Sequence, residues 1–173
     1  ERATPARVAG VALGFAGVAA MMGPDILGGA AAAGLATLAM LAATLSYEIN
    51  NTDKISGFVS ECQRMGIAIL PPDVNKSSLK FAPETSGEAA APGSIRYGLA
   101  AIKNVGEKAM EAAIAERGAN GGFKDADDFV ARLDSALLNK RMLESLIKVG
   151  AFDFGGEHRA SLFGRMDQML GDA

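Results

Sequence analysis

Apolar residues fall unevenly along this chain. Between Val8 and Leu45 the single charged residue is Asp25, which with Gly23 and Pro24 separates two apolar runs, Val8 to Met22 and Ile26 to Leu45. From there the pattern turns amphipathic. Ile55, Phe58, Val59 and Cys62 recur at helical spacing, so residues 51–65 read as a helix, with Asn50, Asn51 or Thr52 as its cap and Gly66 closing it. Ile67 to Leu70 predicts a short strand, and Pro71-Pro72-Asp73-Val74-Asn75 a rigid turn in which Asp73 and Asn75 are turn formers before anything else. Leu79 to Ala82 with Ile95 to Tyr97 predicts a small β-hairpin, joined by a solvated loop from Pro83 to Ser94.

The second half is helical throughout. Leu99 and Ile102 share a face before the turn Lys103-Asn104-Val105-Gly106, and Ala109, Met110, Ala113 and Ile114 recur at helical spacing after it. This is the helix-hairpin-helix pattern. Asn104 and Gly106 suit the reversal because both tolerate positive φ. The helix that follows starts with unpaired N–H groups at the positive end of its dipole, a place for a phosphate. A loop at Gly118 to Gly122 leads to a helix from Phe123 to Leu133, capped by Asp125 with Asp128 three residues on, and with Phe129, Val130 and Leu133 inward. Asn139 caps a helix from Lys140 to Lys148 that Gly150 ends, and a partner helix runs from Glu157 to Leu170 with Leu162, Phe163, Met166 and Met169 or Leu170 as its apolar side. These form a second hairpin unit with a longer turn, Val149 to Gly156. His158 falls in the first turn of the last helix, exposed.

The candidate phosphate contacts are the backbone amides of Val105, Gly106 and Glu107, supported by Asn104 and by the ammonium groups of Lys103 and Lys108. In the second unit they are Lys148 and Arg159, with Lys140 and Arg141 beside them. Each hairpin has the alternative role of a packing element.

Charge limits how strong such a grip is. The net charge is −3 and the pI near 5.2, and residues 95–173 hold eleven Lys and Arg against twelve Asp and Glu. A general nucleic-acid binder is basic, so any DNA contact here is local and weak, useful when another domain already holds the DNA. The 173 residues and the 49% apolar fraction allow one or two small domains. One cysteine, Cys62, excludes a disulfide framework and reads as a buried residue of a reduced, cytoplasmic protein. One Cys and one His make no zinc site.

Five segments in order, MLAATLSYEINNTDKI, ECQRMGIAILPPDVNKS, IRYGLAAIKNVGEKAMEAAIAER, GGFKDADDFVARLD and NKRMLESLIKVGAFD with HRASLF, resemble the family C bacterial replicative DNA polymerases, the DNA polymerase III alpha subunits. The resemblance starts at Met40 and runs over about three quarters of the chain. It implies residues 40–94 as the end of the fingers region and 95–173 as a tandem helix-hairpin-helix domain on duplex DNA leaving the polymerase site. The family has Gly where this chain has Asn104. The catalytic palm with its Mg ions lies upstream in the family, so the resemblance implies no cofactor and no catalysis in this segment, no small-molecule substrate, and duplex DNA with the rest of the polymerase and replisome as partners. Asp125-Ala126-Asp127 imitates a catalytic pair, but i and i+2 diverge on a helix. No P-loop or Rossmann glycine pattern is present.

Residues 1–39 do not share the resemblance, and three readings stay open for them: a membrane helical hairpin, a frame error in GC-rich DNA, and a buried soluble helix. On any reading, few contacts with residues 47–173 are expected. The rival function is a membrane-tethered, non-enzymatic helix-hairpin-helix DNA receptor similar to competence proteins, although such receptors need neither PPDVNKS nor NKRMLESLIKVGAFD. The fold class expected is mostly α, with a short β-hairpin, the tandem unit and an apolar N-terminal helical segment.

Overall fold

The computed structural model of the protein describes residues 30–49, 51–84 and 93–171. The order is α1 (Ala30–Tyr47), α2 (Thr52–Arg64), β1 (Ala68–Leu70), β2 (Ala82–Glu84), β3 (Ser94–Arg96), a 3-10 turn (Leu99–Ala101), α3 (Glu107–Asn120), α4 (Ala126–Arg132), a 3-10 turn (Ser135–Leu137), α5 (Lys140–Lys148), a 3-10 turn (Asp153–Gly155), α6 (Arg159–Gly164) and α7 (Met166–Gly171). The fold is mostly helical, as the patterning requires.

The β elements differ from expectation. They form a three-stranded sheet in the order β1-β3-β2, with β1 parallel to β3 (Ile69 opposite Ile95) and β2 antiparallel to it (Pro83 opposite Ile95). The strand expected at Leu79 to Ala82 lies further on, so Pro83 and Glu84 belong to β2 rather than to a loop. Pro83 misdirects because it cannot donate to a ladder, yet β2 is an edge strand and an edge tolerates it. Cross-strand pairing adds a reason for this register: Arg96 Nε donates to Glu84 Oε2 at 2.7 Å. The remainder of the expected loop, 85–92, lies outside the described residues.

Two apolar cores result. The first gathers Leu38, Ala42 and Leu45 of α1, Ile55 and Cys62 of α2, and Ile67, Phe81 and Ile95 around the sheet. Leu38, Ala42 and Leu45 are spaced by four and three residues, one continuous helical stripe. Of residues 34–39 only Leu38 is buried against this core; the expectation of few contacts between residues 1–39 and 47–173 falls mostly on residues 1–29, which lie outside the described residues. Cys62 is a buried free thiol, and burial pushes its pKa up. The second core packs α3, α4, α5 and the last two helices around Met110, Phe129, Leu143, Leu146 and Phe152, with Phe129 edge-on to both Phe123 (5.0 Å) and Phe152 (5.1 Å).

The turn at 71–75 joins the cores. Asn75 N–H donates to Asp73 Oδ1 at 2.8 Å, the local role read from sequence. Its side chain goes further: Asn75 Nδ2 donates to Phe123 O (2.8 Å) and Oδ1 accepts from Phe123 N (2.7 Å). Val74 is fully buried in the helical core, and its N–H donates to Ala151 O at 3.1 Å. Gly98 holds the same junction tight, since a Cβ there would come within 2.5 Å of Lys80 C and 2.7 Å of Phe81 N.

The helix ends follow their caps. Asn51, Asp125 and Asn139 accept from the amides of Lys54, Asp128 and Met142, and Gly66 and Gly150 take positive φ after α2 and α5. At α4 the partner residue works too, since Asp128 Oδ2 accepts from Lys124 N at 3.0 Å. The expected single helix from Glu157 to Leu170 is instead two short ones broken at Arg165. Gly164 is a weak helix former, and Arg165 is drawn to Asp127 Oδ1 (2.6 Å) and to Glu157 Oε1 (2.9 Å). Leu162, Met166 and Met169 face inward as read, whereas Phe163 is exposed.

Candidate nucleic-acid interface

The first hairpin begins as a 3-10 turn rather than an α-helix, with Ile102 N–H donating to Leu99 O at 3.2 Å. Leu99 and Ile102 are nonetheless buried against α3, so the packing read from their spacing holds. At the reversal, positive φ belongs to Asn104 (φ 67) and not to Gly106 (φ −73). Gly106 is the residue that caps α3 with extended backbone, a conformation open to any side chain. Asn104 carries the left-handed turn where the resembling family has Gly, a substitution Asn tolerates because its short amide is compatible with that region. Its side chain is turned onto α5, where Nδ2 donates to Ser145 Oγ at 3.4 Å.

The amides divide accordingly. Val105 N–H is spent inside the turn on Ile102 O at 3.2 Å, and the Val105 side chain packs on the helical core. That removes the Val105 amide from the expected phosphate contacts. The first helical bond of α3 comes from Met110 N–H to Gly106 O, and no side chain caps the helix. The N–H groups of Gly106, Glu107 and Lys108, all three residues exposed, therefore have no partner within the helix. By contrast α2, α4 and α5 are each closed by an Asn or Asp side chain. The caps of α3 and α6, Gly106 and His158, supply no such bond.

The basic residues form one strip. Arg141, Ser145 and Lys148 are spaced by four and three along α5 and so share a face. Ser145 meets Asn104 of the first turn; Lys148 Nζ lies 5.5 Å from the centre of the Phe163 ring, and Arg159 Nη1 donates to Lys148 O at 3.2 Å. Lys103 and Lys108 are exposed and make no ion pair among the described residues. Lys148 and Arg159 are already engaged, Lys148 with Glu144 and Arg159 Nε with Asp153 Oδ1 at 2.8 Å. Asp153 is held below the usual carboxylate range by that hydrogen bond, and Glu144 by Lys148. Such exposed pairs contribute little to stability. Lys140 turns away to Asp167 at 2.6 Å. The second turn also opens into a groove of ≈ 350 Å³ lined by Asp153, Gly156, Glu157, His158 and Arg159.

The carboxylates that imitate a metal pair do not fit one. Asp125 closes α4 through Asp128 N, and Asp127 is held by Arg165, which lowers its pKa. Among the described residues no helix is long and apolar enough to cross a membrane.

Residues 66–162 match the family model described as a helix-hairpin-helix motif, more than half of the chain. The chain belongs to the helix-hairpin-helix family. It is also similar to the DNA polymerase III subunit alpha of Escherichia coli (45% identical over 133 residues, 77% of this chain and 11% of that protein). The same subunit of Vibrio cholerae (42% over 130 residues, 75% and 11%) and of Thermus aquaticus (42% over 130 residues, 75% and 10%) matches alike. The chain spans about a tenth of the length of these relatives. In this helix-hairpin-helix chain the Gly106 and Glu107 amides have no partner within the helix, the Val105 amide is spent in the turn, and the approach of Lys148 to Arg159 and Phe163 is a feature that spacing along one helix left invisible. The Asn104 to Ser145 contact, between residues far apart in sequence, joins α5 to the first turn.

Proposed function

We propose that this helix-hairpin-helix segment holds duplex DNA by its sugar-phosphate backbone, without reading bases, as part of a replicative DNA polymerase alpha subunit acting in the cytoplasm. The observation that carries the reading is the contrast of helix starts: α2, α4 and α5 are each closed by an Asn or Asp side chain, whereas α3, after the first hairpin, starts at Gly106 with no side-chain cap. An uncapped N-terminus presents N–H donors and a positive dipole end to an anion, and phosphates are the anions that a duplex repeats along its length. Lys103 and Lys108 flank that start and supply the salt-dependent part. The polymerase similarity supplies the setting, in which synthesis, its Mg ions and the replisome partners belong to the rest of such a subunit.

The test is fluorescence anisotropy of a labelled duplex titrated with the chain at several salt concentrations. Binding is expected to be independent of sequence and to weaken steeply with salt; Lys103→Ala lowers the salt slope by roughly one unit. Gly106→Val is expected to abolish the contact by crowding the approach to the Glu107 and Lys108 amides, not by backbone strain. Equal binding by wild type and Gly106→Val would make the first hairpin a packing element.

A further inference from the structure

Within residues 93–171 one large apolar side chain stands out in solvent: Phe163, 43% exposed on the outer side of α6. Its neighbours are cations. Lys148 Nζ sits 5.5 Å from the ring centre. Arg159 lies one helical turn before it on the same face of α6, tied to Lys148 O at 3.2 Å. The strip that passes through Arg141, Ser145 and Asn104 runs from this ring to the first hairpin turn. An apolar ring exposed on its own is ordinary. A ring with an ammonium near it, at the end of a phosphate-binding strip, has the composition of a stacking platform: positive groups follow the backbone while the aromatic face takes a base.

We infer that Phe163, with Lys148 and Arg159, binds an unpaired nucleotide by stacking its base on the ring while the cations hold the adjoining phosphate. The occupant is unpaired because bases inside a duplex already stack on one another and show no free face. Stacking of this kind is indifferent to base identity, because every base has a π-face. The site therefore takes a frayed or single-stranded end next to the duplex held at the first hairpin. It rests on the reading of this segment as a DNA-holding module.

The chain has no Trp, so Phe163→Trp places a single fluorescent reporter at the site. With a single-stranded oligothymidylate, its emission is expected to be quenched, and Phe163→Ala is expected to bind that strand roughly tenfold more weakly, while duplex binding by Phe163→Ala stays as in wild type. Absence of quenching, quenching by blunt duplex to the same extent, or unchanged single-strand binding by Phe163→Ala would each overturn the inference. The duplex titrations of Lys103→Ala and Gly106→Val report on the first hairpin alone. Failure at Phe163 with a normal duplex response thus leaves the proposed function standing, and loss of both removes both.

Discussion

Two glycines with opposite duties make the sharpest comparison in the molecule. Gly98 has no room for a side chain, since a Cβ would meet backbone atoms of Lys80 and Phe81 at 2.5 and 2.7 Å, whereas at Gly106 nothing lies within 4 Å. Backbone cannot give way as a flexible side chain does, so Gly98→Ala is expected to lose about 1–3 kcal/mol of stability in urea unfolding. Gly106→Ala is expected to lose no more than about 1 kcal/mol, the usual difference at a helix cap. Equal losses would show that the close approach at Gly98 relaxes freely. Gly106 looks from sequence like the residue that needs positive φ, because it is the glycine of the turn. Asn104 takes that conformation instead. Composition names the residues able to make a left-handed turn, but which of two does so depends on where the chain must go next. Here it must direct Asn104 Nδ2 to Ser145 and close the bond from Val105 N to Ile102 O. The start of α3 at Glu107 with Lys103 and Lys108 exposed beside it depends on local spelling and was readable. The engagement of Lys148 with Glu144 and of Arg159 with Asp153 needed the turn geometry.

The elements whose boundaries are marked by caps appear where the caps say. Asn51, Asp125, Asn139, Gly66 and Gly150 each act locally, through bonds a few residues long, so their positions in the sequence suffice. The break between α6 and α7 is different in kind, because its cause lies on another helix. Asp127 of α4 takes two of the Arg165 donors, at 2.6 and 2.7 Å, and Glu157 takes others. Both carboxyls are held below their usual range, chiefly by the Arg165 hydrogen bonds, and the guanidinium is held more firmly protonated in return. For carboxyls lowered by folding, the linked stability is present above the ordinary carboxylate range and is lost as pH falls through the folded values. Wild type should therefore lose stability faster than Arg165→Met between about pH 5 and about pH 2, with the two converging at the acid end. Thermal unfolding across that range tests it. Parallel curves would mean that the clamp does not couple α4 to the last helices.

What makes one body of two cores is a five-residue turn. Asn75 satisfies both the N–H and the C=O of Phe123, and Val74 sits fully buried beside α3 to α5 with its carbonyl taken by Arg117. Asn75→Ala strips one partner from each of two backbone groups of Phe123, its N–H and its C=O, which is expected to cost about 1–3 kcal/mol. Hydrogen exchange should show the Phe123 amide losing protection before the amides of α5 do. Unchanged protection at Phe123 would mean that another group replaces Asn75 there. Sequence placed these residues in a turn correctly and could not disclose the long-range partner, since the same Asx bond forms in a free loop. The sheet hides for a similar reason: three strands of three residues each carry too few side chains to declare a parallel pairing between β1 and β3. That order, β1-β3-β2, has a consequence for how the chain comes into being. A ribosome releases β1 and then β2, and neither has a neighbour until Ser94 to Arg96 follows, because every ladder in the sheet runs through β3. During synthesis the sheet of the first core must wait, with Ile95 missing from its centre, until its last-made strand slides into the middle. A nascent chain halted before residue 94 is a surface for chaperones, and one carried a few residues further has its keystone.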